Sequence, residues 1–525
     1  MDIDIKTRRA LDTLPAEILL LIFGELGFED HYSLSTTSIR LHQFTLQHLY
    51  RDPVFCSGER GLVTVRDYNP SNLRFARTLE LFPWRPADHS GKIWVRFFDF
   101  TGIHPSDVGT SEFAVKLLRA HPYITELAVN FTKYFFALPD SKPVLQNLKN
   151  IQKLSFSITR VALEDEDRSL DNENGDIDAI WEFAASNYAT LRSLCFAHYG
   201  PPDPEDDRNT QNPCPEDILI VPPHIKWSGR RLQLHELKIK SVPRFTEVFL
   251  STRFFNPQTL RTLSFAWTPN IDGMLQNMAK ELVNLKSLQL IESVQLYIDT
   301  LSPLLGQLPP LDILHLGVVA ADNDRLSRWP EFQKKSIRVL WLDSLLSNGR
   351  PKLHVFDFTE WQNLEELAVY STLRSLRQLK PSPRLKILRG FRNHMTRDSL
   401  QRRPQEYYSK TFEALGNRQA RIRAATTKAG EESLSCTPQL EVLVDGHLWY
   451  GGNMDGVDKP EIYRATYTPG KRKGKFDASA QQISTKEFFK LYPNNCMFGE
   501  ARGPWAWVGR PFPEDRNMGY FDLFV

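Results

Sequence analysis

The chain has 525 residues, 41% apolar and 24% charged, with a formal net charge of +2. That length exceeds one small core and predicts either a few domains or one elongated repeat domain with attachments. The near-neutral balance gives no global pull toward nucleic acid or membrane, and the aliphatic run at residues 18–23 falls far short of the roughly 20 residues that span a bilayer.

Met1 is followed by Asp2 and Asp4 rather than by a basic segment, so no secretory leader is expected. The five cysteines, Cys56, Cys195, Cys214, Cys436 and Cys496, are odd in number and scattered, with no C-x-x-C pair. That spacing predicts no disulfide scaffold, no zinc site and a reducing compartment, the cytosol or nucleus. The sequon Asn130-Phe131-Thr132 then reads as chance.

After a disordered start at residues 1–11, the first expected element is a helix of about three turns from Leu14. Pro15 suits the first helical position, Glu17 favours the helix dipole, and Gly27 follows the last apolar residue as a cap. Its apolar residues, Ile18, Leu19, Leu20, Leu21, Ile22, Phe23 and Leu26, cover nearly the whole circumference, where a surface helix carries one stripe. One face packs on the next helices; a partner or a larger core would have to cover the other. Asp30 is the expected N-cap of a second helix carrying Leu34, Ser38 and Leu41, and a third runs from about Gln43 to Tyr50, stopped before Pro53. Three short helices in about 40 residues stand poorly alone.

The pattern L-P-x-E-I-L-x-x-I-F-x-x-L, then D-x-x-x-L-S and a Leu-Tyr pair, resembles the F-box. The family often has a Val-Cys pair in its second helix and a Trp soon after; Thr37-Ser38 and the His42 region stand there. The resemblance implies a three-helix F-box over residues 12–53. It also implies docking on a Skp-family adaptor, and through it on a cullin–RING ubiquitin ligase. The adaptor-binding residues would be Leu14, Pro15, Ile18, Leu19, Ile22, Phe23, Leu26 and Leu34.

Residues 54–445 carry a second pattern. The frame L-x-x-L-x-L starts at Leu234, Leu260, Leu285, Leu311, Ile337 and Leu364, with separations of 26, 25, 26, 26 and 27 residues. Looser copies start at Ile124, Ile151 and Leu191; Ala76 opens the series, and Leu385 and Leu440 close it. In this frame the last two apolar residues lie two apart on a strand and point to one face. The stretch 272–282 has helical spacing, so each repeat is expected to be a strand plus a helix. The fold class expected is α/β, a curved solenoid, and the near-constant period disfavours a doubly wound sheet. The repeats resemble leucine-rich repeats but lack the usual Asn or Cys after the strand; Thr268, Ser293, Val319, Leu345 and Thr372 stand there. Strand residues facing away from the leucines, Lys238, Lys240, Gln289, His315, Trp341, Asp343 and Tyr370, are the expected contacts for a protein substrate.

Loops are expected at about 164–178, 200–223 and 392–432, with a basic helix over 412–425 as the alternative in the last. Residues 446–525 lack the frame but hold Trp449, Tyr463, Tyr467, Phe488, Phe489, Tyr492, Trp505 and Trp507 among other aromatics, and are expected to cap the last repeat. The acidic stretch 171–176 fails the calcium-loop frame because Gly175 falls fifth, not sixth. Residues 471–475, Lys-Arg-Lys-Gly-Lys, read as a solvated loop, a nuclear localisation signal or a nucleic-acid patch.

No nucleophile elbow, Walker loop, dinucleotide fingerprint or H-E-x-x-H helix occurs, and no metal or cofactor is expected. The F-box resemblance implies a non-catalytic substrate receptor of a ubiquitin ligase, and no membrane or nucleic-acid partner is expected. The alternative is an interaction scaffold outside ubiquitination.

Overall fold

The computed structural model describes residues 11, 14–26, 33–34, 36–49, 54–58, 61–63, 78–82, 115, 118–119, 122, 125–131, 139–159, 171–199, 231–240, 254–266, 268, 271–291, 298–317, 327–343, 356–370, 376–391, 404–426, 437–445, 461–472 and 474–492. They fall into two compact units, one up to residue 233 and one from residue 234 on.

The first unit opens with helices α1 (Ala16–Glu25) and α2 (Ile39–Leu49). Six strands follow: β1 (Val54–Gly58), β2 (Gly61–Val63), β3 (Thr78–Phe82), β4 (Glu126–Phe131), β5 (Lys153–Thr159) and β6 (Ser193–Tyr199). β1 and β2 form an antiparallel hairpin, and β1, β3, β4, β5 and β6 then pair in parallel order. The register places the frame leucines in one row, Leu79, Leu127, Leu154 and Leu194. α3 (Ser141–Asn147) lies between β4 and β5, and α4 (Asp171–Ser186) between β5 and β6. Trp181 of α4 is fully buried and meets Phe156 and Phe196 edge-on at 6.0 and 5.9 Å, while those two rings stack at 4.6 Å.

The second unit holds eight parallel strands: β7 (Glu236–Lys240), β8 (Thr262–Ala266), β9 (Ser287–Ile291), β10 (Ile313–Gly317), β11 (Val339–Asp343), β12 (Glu366–Tyr370), β13 (Ile387–Phe391) and β14 (Val442–Asp445). Leu237, Leu263, Leu288, Leu314, Leu340, Leu367, Leu388 and Leu443 form one cross-strand row, all fully buried. α5 (Ile271–Met278), α6 (Ile298–Gln307) and α7 (Glu331–Ser336) fill three of the crossovers. Met274, Leu275, Met278, Ala279 and Leu282 are buried, as the 272–282 spacing requires. Among the described residues, 359–360 and 362–363 form tight turns ahead of β12, and Leu376 is helical and followed by a turn at 377–378.

Parallel crossovers leave loop polar groups to satisfy, and three buried carboxamides do so. Asn187 accepts from the Ile151 N–H at 3.2 Å and donates to the Leu148 carbonyl at 2.8 Å. Gln333 accepts from the Leu311 N–H at 3.0 Å and donates to the Leu305 and Pro309 carbonyls at 3.0 and 2.9 Å. Gln419 accepts from Gln439 and Leu440 and donates to the Ser382 and Leu385 carbonyls. Each tethers the entry of one frame to a neighbouring crossover. Just before the strands, Lys286, Asp312, Arg338, Glu365, Lys386 and Glu441 alternate in sign along the sheet. Arg338 reaches Asp312 at 3.3 Å, and Lys386 reaches Glu365 at 3.3 Å.

Two expected loops are corrected. From Asp171 on, the 164–178 stretch is the start of α4, because Ile180, Trp181 and Ala184 bury one helical face and the acidic residues extend it. Within 392–432, α8 (Pro404–Thr426) is a 23-residue helix, longer than the 412–425 alternative, with Tyr408, Phe412 and Leu415 fully buried. Residues 164–170, 200–223, 392–403 and 427–432 lie outside the described residues, as do 1–10 and the Asn130 sequon's Thr132.

In the C-terminal segment, β15 (Glu461–Pro469) and β16 (Phe476–Ile483) add an antiparallel hairpin to β14, followed by α9 (Thr485–Leu491). Ile462, Ile483 and Phe488 join Trp341, Ala368, Ile387, Val442 and Val444 in one buried cluster, with Tyr492 against it. α8 lies along β16: Ser409 Oγ accepts from the Ala480 N–H at 2.9 Å, and Asn417 pairs with both backbone groups of Phe476 at 2.7 and 2.8 Å. The outermost strand thus has part of its free edge covered by helix side chains, a device against edge-to-edge pairing. Trp449, Trp505 and Trp507 lie outside the described residues.

Candidate docking surfaces

α1 begins one residue later than the sequence predicts. Pro15 is its N-cap with an extended ψ of 149°, and the Pro15 carbonyl accepts from the Ile18 and Leu19 N–H groups, both at 3.1 Å. The helix ends at Leu26, an extended C-cap at φ −87°; Gly27 and Asp30 lie outside the described residues. The boundary between the expected second and third helices is corrected: Ser33 and Leu34 are helical, and a break follows at residues 36–38. Thr37 is in a turn, its Oγ1 donating to the Leu34 carbonyl, and Ser38 caps α2 by accepting from the Leu41 N–H at 3.1 Å. Residues 39–49 then run as one helix, since nothing between Leu41 and Gln43 breaks it. Thr37-Ser38 therefore lies between the helical residues Ser33-Leu34 and the start of α2.

The two helices make a small core of Leu19, Phe23 and Leu41, with Leu11, Leu14, Leu26, Leu34 and Phe44 packed against it. Phe23 and Phe44 stack at 6.3 Å, and Arg40 donates to the Leu14 carbonyl at 2.9 Å, tying the helix entry to α2. This divides the eight sequence-predicted adaptor residues. Leu19 and Phe23 are core; Leu14, Ile22, Leu26 and Leu34 are half-buried; Pro15 and Ile18 are exposed. Two residues absent from that set stand out further: Leu21 is 70% exposed and Ile39 82%, against 42% for Ile18. Ile18 and Leu21 are three apart, so they share a helix face opposite Leu19 and Phe23. The all-round apolar character of α1 already contained that second face. Ile39 carried no such signal, because the start of α2 was misplaced.

The second sequence-predicted surface is the row facing away from the leucines. The register runs Lys238, Ser264, Gln289, His315, Trp341, Ala368, Arg389, Val444 and Ile462 across β7 to β15. Lys238 is half-buried and pairs with Glu236 at 2.7 Å. Gln289, His315 and Trp341 share the expected face but are buried, at 2, 2 and 3% exposure. The side chains of Lys240, Asp343 and Tyr370 lie outside the described residues.

The buried row is polar and interlocked. Ser264 donates to Gln289 Oε1 at 3.1 Å, and His315 stacks on Trp341 at 4.4 Å, 16° from parallel. Arg389, fully buried, places its guanidinium 5.4 Å from the Trp341 ring centre, across the small Ala368. Neither ring nitrogen of His315 has a hydrogen-bond partner among the described residues. Burial holds His315 down to about 3, and the Arg389 charge adds to that shift, so the imidazole is neutral at physiological pH. Among the described residues no group of three His, Cys, Asp or Glu side chains converges as a metal site would require, and Cys195 is a buried free thiol.

Residues 11–56 match the family model described as F-box-like, over the same segment as the α1–α2 pair. No curated protein matches the chain. The chain thus carries an F-box-like domain, a protein-interaction module of a type that in general binds Skp-family adaptors and belongs to non-catalytic adaptor proteins.

Proposed function

We propose that this protein is the substrate-recognition subunit of a Skp–cullin–F-box ubiquitin ligase, acting in the cytosol or nucleus. The observation that carries the reading is the F-box-like domain at residues 11–56, where Leu19, Phe23 and Leu41 are buried while Ile18, Leu21 and Ile39 are exposed. Each large aliphatic side chain moved fully from water gains about 1.5–3 kcal/mol, so this face favours an apolar partner. The Skp-family adaptor covers it, and the cullin follows through the adaptor. The strand array of the second unit carries a protein substrate, held near a ubiquitin-charged enzyme at high effective concentration. No bond chemistry is assigned to the chain itself.

Co-purification of the full chain with a Skp-family adaptor tests the first step. The wild type should retain the adaptor, and Leu21→Asp with Ile39→Asp should lose it without a change in thermal melting. Phe23→Ala should also lose it, but by unfolding the pair. A wild type that captures no adaptor sinks the reading. Capture of adaptor without cullin identifies a scaffold working outside ubiquitination.

A further inference from the structure

We propose that the tip of the β15–β16 hairpin and the last turns of α8 form one docking site for an acidic segment of a partner protein. The hairpin turn contains Lys471, Arg472 and Lys475. Gly474, at φ +75°, takes the left-handed conformation that few other residues accept. The Gly470 N–H donates to the Lys475 carbonyl at 2.8 Å and the Lys475 N–H to the Arg472 carbonyl at 3.0 Å, so the tip is internally fixed.

The helix brings a second set of cations to the same place. Ser409 meets Ala480, and Asn417 meets Phe476. Eight helical residues rise about 12 Å. Four strand residues rise about 13 Å. Helix and strand therefore run antiparallel and in step. One helical turn beyond Asn417 stands Arg421, and one residue before Phe476 stands Lys475, so Arg421 comes level with the tip. The segments are about fifty residues apart in sequence, and the reciprocal Asn417–Phe476 bonds lock them together.

Arg421, Lys471, Arg472 and Lys475 are all exposed, and none forms an ion pair among the described residues. Among the described residues Arg421 donates only to the Asn417 carbonyl, at 3.3 Å. Its neighbour Arg418 donates to the Arg377 and Leu379 carbonyls and forms no ion pair among the described residues. Burial and then the Arg421 charge depress the Arg418 guanidinium, a sign that positive charge is concentrated here. The nearby acid Asp477 turns toward Gly470. From Lys286 to Glu441 the charges ahead of the strands alternate in sign, whereas the tip gathers four cations beside the acid Asp477. Like charges held together disfavour folding unless a counter-charge arrives.

A protein segment fits better than nucleic acid. Single strands are bound along a longer basic groove with stacking rings. Here Tyr467 packs on Gly416 rather than standing free for stacking, and the net charge is only +2. A short run of Asp or Glu matches the four cations.

Fluorescence anisotropy of the full chain with a labelled octaglutamate peptide tests this, beside a single-stranded oligonucleotide of equal charge. The peptide should bind, more weakly as salt rises. Combined Lys471→Ser, Arg472→Ser and Lys475→Ser should weaken it about tenfold, and Arg421→Gln alone about threefold. Arg421→Gln sits on the helix surface and keeps the test valid if the hairpin variant melts early. Absence of peptide binding, unchanged affinity in both variants, or a preference for the oligonucleotide overturns the proposal. Adaptor capture should be unaffected throughout, so this failure is separate from failure of the ligase reading.

Discussion

Replacing Gln333 tests whether carboxamide tethers hold the repeats in register. Its side chain is fully buried and joins the Leu311 N–H to the Leu305 and Pro309 carbonyls, with Leu308 at a longer 3.4 Å. Gln333→Ala leaves a buried N–H and two carbonyls without partners. At about 1–3 kcal/mol per orphaned group, less where a carbonyl relaxes, and with a small cavity added, the loss is about 3–5 kcal/mol. Gln333→Glu is more diagnostic. One oxygen still accepts from Leu311, but the other faces carbonyl lone pairs and must carry a proton to donate. The folded-state pKa of that carboxyl is therefore raised. A raised carboxyl keeps its stabilisation below its unfolded value of about 4.3 and loses it as pH rises through the folded value. This variant should match wild type near pH 4 relative to its behaviour at pH 8, where it should approach the Ala variant. Urea unfolding, with hydrogen exchange at residues 305–316, reads both the global and the local change. If Gln333→Ala stays within about 1 kcal/mol of wild type, or the Glu variant shows no pH dependence of its own, the tether argument fails.

Three further outcomes follow from single contacts. His315→Phe should keep the stack on Trp341 and remove acid sensitivity: wild-type His315 costs roughly 1.4 kcal/mol per pH unit as pH falls from 6.5 toward 3, seen as a steeper acid melt. Gly416→Ala puts a methyl 2.6 Å from the Tyr467 ring, and should cost about 1–3 kcal/mol in denaturant titration unless that ring swings out. Asn417→Ala exposes the Phe476 edge, and should raise aggregation on heating, measured by light scattering, with Asn417→Asp restoring only the bond from the Phe476 N–H.

The repeat frame was legible because its signal is physical and local. A leucine pair two apart must face one side of a strand, and the frame recurs every 25–27 residues from Leu237 to Leu367; Leu388 and Leu443 keep the same register despite other separations, and all eight frame leucines of the second unit are fully buried in one row. The crossovers were harder to read. Composition marked 164–178 and 392–432 as polar, yet a helix needs only one buried stripe, and Ile180, Trp181, Tyr408 and Phe412 supplied it. The carboxamide tethers were invisible for a related reason. Asn187 and Gln333 stand four residues before Leu191 and Ile337, but the same offset holds Glu281, Gln307 and Glu360 elsewhere, so position alone does not mark the role.

The candidate surfaces show where periodicity stops carrying information about exposure. On α1 it assigned two faces, and the packing of Phe23 on Phe44 decides which one is free. Ile18 and Leu21 remain outside while Leu19 and Phe23 go in, although all four are equally apolar. On the strands, alternation placed Gln289, His315 and Trp341 opposite the leucines, and the register agrees. It could not say that this face is covered too. A polar residue on an alternating strand implies solvent only if nothing else packs there. Here Ile462, Ile483 and Phe488 extend an apolar cluster to Trp341, and Arg389 closes over the same indole. Burial of that row shifts the search for a partner-binding surface toward side chains that stay in water, among them the cations at the hairpin tip.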